Sequence, residues 1–153
     1  MKIVPLWERP DLIGPTAALF RDIWPDHYGP GGAGDAQADL QNRCRAQGLP
    51  YAMLCVGNNG RVLGSGSLSG QSFGQEPGEG LWLVGLCVVA GQRRKGIGAG
   101  LVKALAQHAR SQDYSDLYTT TQNAAGLLRS LGWVTLRDIG NDDARWQVLR
   151  KAL

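Results

Sequence analysis

The sequence predicts one α/β domain built on a mixed, mostly antiparallel central sheet flanked by helices. Three observations carry this expectation. The chain has 153 residues, 43% of them hydrophobic, a length suited to one domain with one substantial core. Strand-like and helix-like segments follow in the order β-α-α-β-β-β-α-β-α-β-β, so hairpins supply antiparallel pairs and one strand–helix–strand crossover supplies a parallel pair. The 22 glycines, at roughly double the usual frequency of about 7%, have no three-residue period. That excludes a collagen-like helix and places the excess in turns and at one strand-to-helix junction.

Each segment has its own local cause. Lys2 to Trp7 is expected as a short first strand, stopped by Pro10. Asp11 to Trp24 carries apolar residues at helical spacing (Leu12, Ile13, Leu19, Phe20, Ile23), and Pro25 ends it. Asp26 to Gly34 holds four glycines and is expected as a flexible loop; Asp35 is placed to N-cap a helix reaching about Gln47, with Gly48 as its stop. Tyr51–Val56 and Val62–Leu68 flank Gly57-Asn-Asn-Gly60, a hairpin turn signal. A Gly/Ser/Glu loop spans Ser69 to Gly80. Leu81 to Val89 is apolar apart from Gly85, the pattern of a strand buried on both faces. Gly96 to Ser111 sets Ile97, Leu101, Val102 and Leu105 along one helix face. A strand over Asp116–Thr121, a short helix over Ala124–Leu131 closed by Gly132, and strands over Trp133–Asp138 and Arg145–Leu149 complete the chain, with no repeat or linker. Residues 1–153 are expected to form a single domain.

The net charge of +3 is uneven: residues 1–91 hold six Lys/Arg against eight Asp/Glu, and residues 92–153 hold ten against five. Between Gln92 and Gln112 stand Arg93, Arg94, Lys95, Lys103 and Arg110 with no acid, a patch suited to a small polyanion. No aromatic residue interrupts that patch, which argues against nucleic acid. Three widely spaced cysteines, Cys44, Cys55 and Cys87, form neither a disulfide framework nor a metal-ligand set. With no signal-peptide core and no membrane-length apolar run, a cytoplasmic protein without membrane partners is expected, as a monomer or homodimer.

The chemistry concentrates in Leu81 to Leu101, where an apolar strand runs through a basic glycine-rich turn into a helix. Unsatisfied N–H groups and the positive dipole end of a helix make an anion site, and Gly96 and Gly98 remove the Cβ atoms that would keep phosphate away. Two familiar phosphate motifs fail on spacing. Gly91-x4-Gly96 is not followed by Lys-Ser/Thr, and Gly96-x-Gly98-x-Gly100 is one residue short of a dinucleotide fingerprint.

Arg93-Arg94-Lys95-Gly96-Ile97-Gly98 resembles the Q/R-x-x-G-x-G/A motif of the GCN5-related N-acetyltransferase (GNAT) superfamily. The similarity extends to the preceding strand end Leu86-Cys87-Val88, the order of elements along the whole chain, and the closing Leu131-Gly132-Trp133. It implies a GNAT fold and acetyl-CoA as acyl donor, with transfer to a primary amine of a small molecule or protein N-terminus. It further implies that the backbone of Leu86, Cys87 and Val88 pairs with the pantetheine arm, and that Arg93, Arg94, Lys95, Gly96, Ile97, Gly98 and Ala99 hold the pyrophosphate. Direct attack on a polarised thioester needs no covalent enzyme intermediate, so no Ser-His-Asp or Cys-His set is expected.

The chain departs from that family at the proton-handling positions. Leu128 stands where many relatives carry an acid tyrosine, Val84 and Gly85 where a strand glutamate serves as base, and Thr121 where an asparagine is frequent. The catalytic residues are therefore unassigned, with Glu79, His27 and Tyr28 as titratable candidates toward the acceptor side. The same gaps keep a second reading open, a non-catalytic acyl-CoA-binding module. His108 and the tryptophans Trp24, Trp82 and Trp133 are expected to be structural.

Overall fold

The computed structural model describes residues 1–153. Seven strands form one sheet: β1 (Lys2–Pro5), β2 (Tyr51–Val56), β3 (Val62–Ser69), β4 (Trp82–Val88), β5 (Asp116–Thr121), β6 (Val134–Gly140) and β7 (Arg145–Ala152). Their order across the sheet is β1-β2-β3-β4-β5-β7-β6, antiparallel throughout except for the central β4–β5 pair. The helices are α1 (Ile13–Ile23), α2 (Pro25–Tyr28), α3 (Ala36–Arg43), α4 (Ile97–Ser111) and α5 (Ala125–Ser130).

The two faces of the sheet carry separate cores. On one, Val102, Leu105 and Ala109 of α4 and Leu128 of α5 pack against alternate residues such as Leu68, Leu83, Leu117 and Leu149. On the other, Leu12, Ala17 and Phe20, with Leu40 of α3, cover Ala52, Leu54 and Val56 of β2. Each fully buried leucine contributes about 1.5–3 kcal/mol relative to an exposed one. Leu83 and Trp82 of β4 are both buried, as an apolar central strand requires, yet Val84 to Leu86 are only half-buried.

Three expectations are corrected. Pro25 does end α1, but it also opens α2, because a proline is favoured at a helix's first position where no N–H is needed. The segment expected as a flexible loop therefore begins with a helical turn, and Gly34 N donates back to the His27 carbonyl at 2.8 Å. Asp35 caps α3 as expected, accepting from Ala38 N at 3.0 Å, but the helix stops at Arg43 rather than Gln47. There Arg45 folds back, donating to the carbonyls of Asn42 and Leu49, which ties the following loop toward β2. The first strand ends at Pro5, where the chain turns into a short 3-10 segment, Leu6–Glu8, that buries Leu6.

A cleft at the parting of β4 and β5

The parallel β4–β5 ladder has two rungs only, Trp82 opposite Tyr118 and Leu83 opposite Thr119. Two local features mark where the strands part beyond them. Thr119 Oγ1 donates to the Leu83 carbonyl at 2.8 Å, at the last rung of the ladder. On the other edge, Ser65 pairs with Cys87 and Ser67 with Val84, so Gly85 and Leu86 together oppose Gly66. This bulge places Gly85 at φ +62°, a conformation glycine adopts without strain, and bends β4 away from β5. The gap is a cleft of about 870 Å³, walled by Leu83–Val88, Thr119–Ala124, the start of α4 and Leu127. Ile23 and Trp24 close it from the α1 side, so Trp24 packs on the core at Phe20 and also walls the cleft.

One end of the cleft meets the N-terminus of α4. Gly96 caps the helix at φ +82° with no side-chain cap, and Gly100 N is the first helical donor to find a carbonyl, that of Gly96, at 2.9 Å. The N–H groups of Ile97, Gly98 and Ala99 precede it, in the first turn, where intrahelical acceptors are missing. A Cβ on Gly98 would meet only Leu127 Cδ2 at 3.4 Å and Val88 Cγ2 at 3.8 Å. Arg93, which donates to the Val88 carbonyl at 3.2 Å, and Arg94 border this end. The donor set, the dipole of a 15-residue helix and the flanking cations fit a phosphate-bearing ligand.

Of the residues singled out for ligand contact, Leu86, Cys87, Val88, Arg93, Arg94, Gly96, Ile97, Gly98 and Ala99 line the cleft. Lys95 does not; its Nζ lies 3.2 Å from Gln92 Oε1. Cys87 is 5% exposed, and burial pushes its thiol up to about 12, so it is no thiolate nucleophile at neutral pH. Leu128 is buried and offers no proton.

None of the three titratable candidates lines the cleft. Glu79 is taken by Arg137, whose Nη1 and Nη2 donate to its two carboxylate oxygens at 2.8 and 2.7 Å. Those bonds hold its carboxyl below the ordinary glutamate value, which weakens it as a base. The same guanidinium holds the Gly74 carbonyl, so Glu79 anchors the 70–80 loop over β5–β7. His27 is exposed, its ring edge-on to Tyr28 at 4.5 Å. Tyr28 donates to Asp39 Oδ2 at 2.7 Å and packs on Phe20 and Trp24; burial and that bond push its hydroxyl up to about 12. It stays protonated and braces the Trp24 wall. His108 is structural, its ring stacked 4.0 Å from that of Tyr51.

One charged residue outside those candidates lies just behind the cleft wall, beside Gly85. Arg43, at the end of α3, reaches over the Phe20 ring to Ser67 beside Gly85. Arg43 and Gly85 are 42 positions apart, and no local pattern links them.

Residues 16–133 match the acetyltransferase (GNAT) family. No curated protein sequence matches the chain. Among solved structures, an aminoglycoside 6'-N-acetyltransferase complexed with coenzyme A is similar with a TM-score of 0.80 at 17% identity, over 99% of this chain and 97% of that one. The aminoglycoside 6'-N-acetyltransferase from Enterococcus faecium is similar with a TM-score of 0.79 at 18% identity, over 99% and 97%. Ribosomal-protein-alanine N-acetyltransferase from Brucella melitensis follows with 0.74 at 20% identity, over the full length of both chains. At these identities the likeness is one of fold. No helix is long and apolar enough to cross a membrane.

Proposed function

The chain belongs to the acetyltransferase (GNAT) family, an acyltransferase family that uses acetyl-CoA, and from that premise we propose that it moves an acetyl group from acetyl-CoA directly to a primary amine of a small molecule or protein N-terminus. The observation that carries the reading is the parting of β4 from β5 after two rungs, which opens a long cleft onto the bare N-terminus of α4.

The family's donor supplies an activated thioester on an elongated arm with a pyrophosphate at its far end, and the residues present suit each part. The first-turn N–H groups of Ile97, Gly98 and Ala99 hold the pyrophosphate, with Arg93 and Arg94 adding charge and Gly98 leaving the approach clear. Lys95 adds charge from outside the wall. The backbone edge of Leu86–Val88, freed where β5 departs, pairs with the pantetheine arm as a strand would. A β4 N–H near Val88 polarises the thioester carbonyl. Trp24 and Ile23 wall the opposite side.

The wall supplies neither an acid nor a base. The departing coenzyme thiolate needs no protonation to leave, and the proton of the attacking amine passes to solvent through the acceptor side. Most of the rate then comes from holding amine and thioester together. The test is release of free coenzyme A thiol from acetyl-CoA across a panel of amines and peptides, beside calorimetry with coenzyme A. Thiol release with a subset of acceptors is expected. Coenzyme binding without release would make the chain an acyl-CoA-binding module, and no binding would overturn the site.

A further inference from the structure

Behind Gly85, a residue of the cleft wall, lies a cation that the transfer chemistry does not use. Arg43 is half-buried and held from three directions. Its Nη1 donates to Ser67 Oγ at 3.2 Å, its guanidinium carbon lies 5.7 Å from the Phe20 ring centre, and a Cβ on Gly85 would come 3.0 Å from Nη1. Gly85 lines the cleft at the β4 bulge. Where a side chain from that bulge would project, the fold holds a guanidinium instead.

No carboxylate pairs with it. The ion pairs of the fold are Arg9–Asp11, Arg137 with Glu76 and Glu79, Arg145–Asp142 and Arg150–Asp116. Asp39, one turn earlier on α3, accepts from the Tyr28 hydroxyl and stands outside ion-pair distance of Arg43. A guanidinium has five N–H donors; Ser67 accepts one, and the Tyr28 hydroxyl, already bound to Asp39, is the other polar neighbour, so most of the fork is left over. A half-buried cation so poorly matched favours an anion that completes it, and the rigid fork fits a carboxylate with two parallel bonds.

Resting on the acetyl-transfer reading, we propose that Arg43 determines acceptor specificity by pairing with a carboxylate carried close to the reacting amine. Gly85 is adjacent in sequence to Leu86, the first residue assigned to the pantetheine arm. An amine joined by a short chain to a carboxylate on Arg43 is therefore delivered to that stretch of β4. Amino acids and peptides with an acidic first residue share this chemistry.

Matched acceptors that differ only in carboxylate against carboxamide test the proposal: alanine against alaninamide for the free amino-acid source, and Asp- against Asn-initiated tripeptide amides for the peptide source. Thiol release from acetyl-CoA should show kcat/KM about tenfold or more higher for the carboxylate member of at least one pair, arising in KM. Arg43→Gln should collapse that ratio toward one, and Arg43→Lys should restore part of it, since an ammonium keeps the charge without the fork. Melting midpoint and coenzyme A affinity, which is set on the opposite wall, verify that each variant is folded. Equal rates within both pairs for the unaltered protein, or a preference that survives Arg43→Gln, would overturn the proposal. If no acceptor releases thiol, the transfer reading fails by itself. Arg43 is then decided by calorimetry with N-acetyl-Asp and N-acetyl-Asn tripeptide amides: tighter binding of the acid that Arg43→Gln removes upholds the proposal, and equal binding overturns it.

Discussion

Gly98 and Gly85 both line the cleft, on walls of opposite construction, and a β-carbon would mean different things at each. At Gly98 the helix geometry is ordinary and the nearest atoms stand at normal contact distance, so the fold has room for a side chain that a ligand would not tolerate. At Gly85 the backbone sits at φ +62° and Arg43 lies 3.0 Å from the new atom, so the fold itself demands glycine. The wall proposed for the coenzyme is made of backbone: N–H groups at a helix start and the edge of a strand. The wall on the α1 side is made of side chains, Ile23 and Trp24, with Phe20 and Tyr28 bracing Trp24 and Arg43 lying behind Gly85. The first serves a ligand common to a family, and the second can change its residues without disturbing the first.

Gly98→Val sets the largest expected effect. Coenzyme A affinity should fall by about 100-fold or more, on the order of 2.7 kcal/mol, with the melting midpoint held, since valine is no worse in a helix than glycine. Calorimetry paired with thermal melting measures both, and unchanged affinity would remove the pyrophosphate from that turn. Gly85→Ala should do the converse, losing about 1–2 kcal/mol of stability from the left-handed conformation alone. Denaturant melts that show no loss would mean the bulge relaxes freely.

The smallest effect concerns the 70–80 loop, held by charge rather than by backbone. Glu79 titrates below its ordinary value because of Arg137, so the folded state binds its proton more weakly than the unfolded chain. Its stabilisation is present above the unfolded carboxyl's pKa and disappears as pH falls through the lowered folded value. The melting midpoint of the unaltered protein should therefore drop more steeply between about pH 5 and pH 3 than that of Glu79→Gln. The pair is worth about 1 kcal/mol at most. Parallel pH profiles would show that Glu79 does not anchor the loop.

The order of strands and helices, the cap at Asp35, the turn at Gly57–Gly60 and the glycine-rich, side-chain-uncapped start of α4 were all legible in the amino-acid order. Each depends on residues within a few positions of one another: a periodicity, a capping side chain, glycines spaced around a helix start. Even the missing tyrosine was visible, as Leu128. Tertiary structure alone decided the rest. It took Glu79 out of the cleft by giving it Arg137, 58 positions away, and tied Tyr28 to Asp39. It put Trp24 on the cleft wall as well as on the core, and brought Arg43 to Gly85. Ion pairs and stacked rings act through space over a few ångströms, so partners distant in sequence become neighbours only after the sheet has formed and the helices have packed on it.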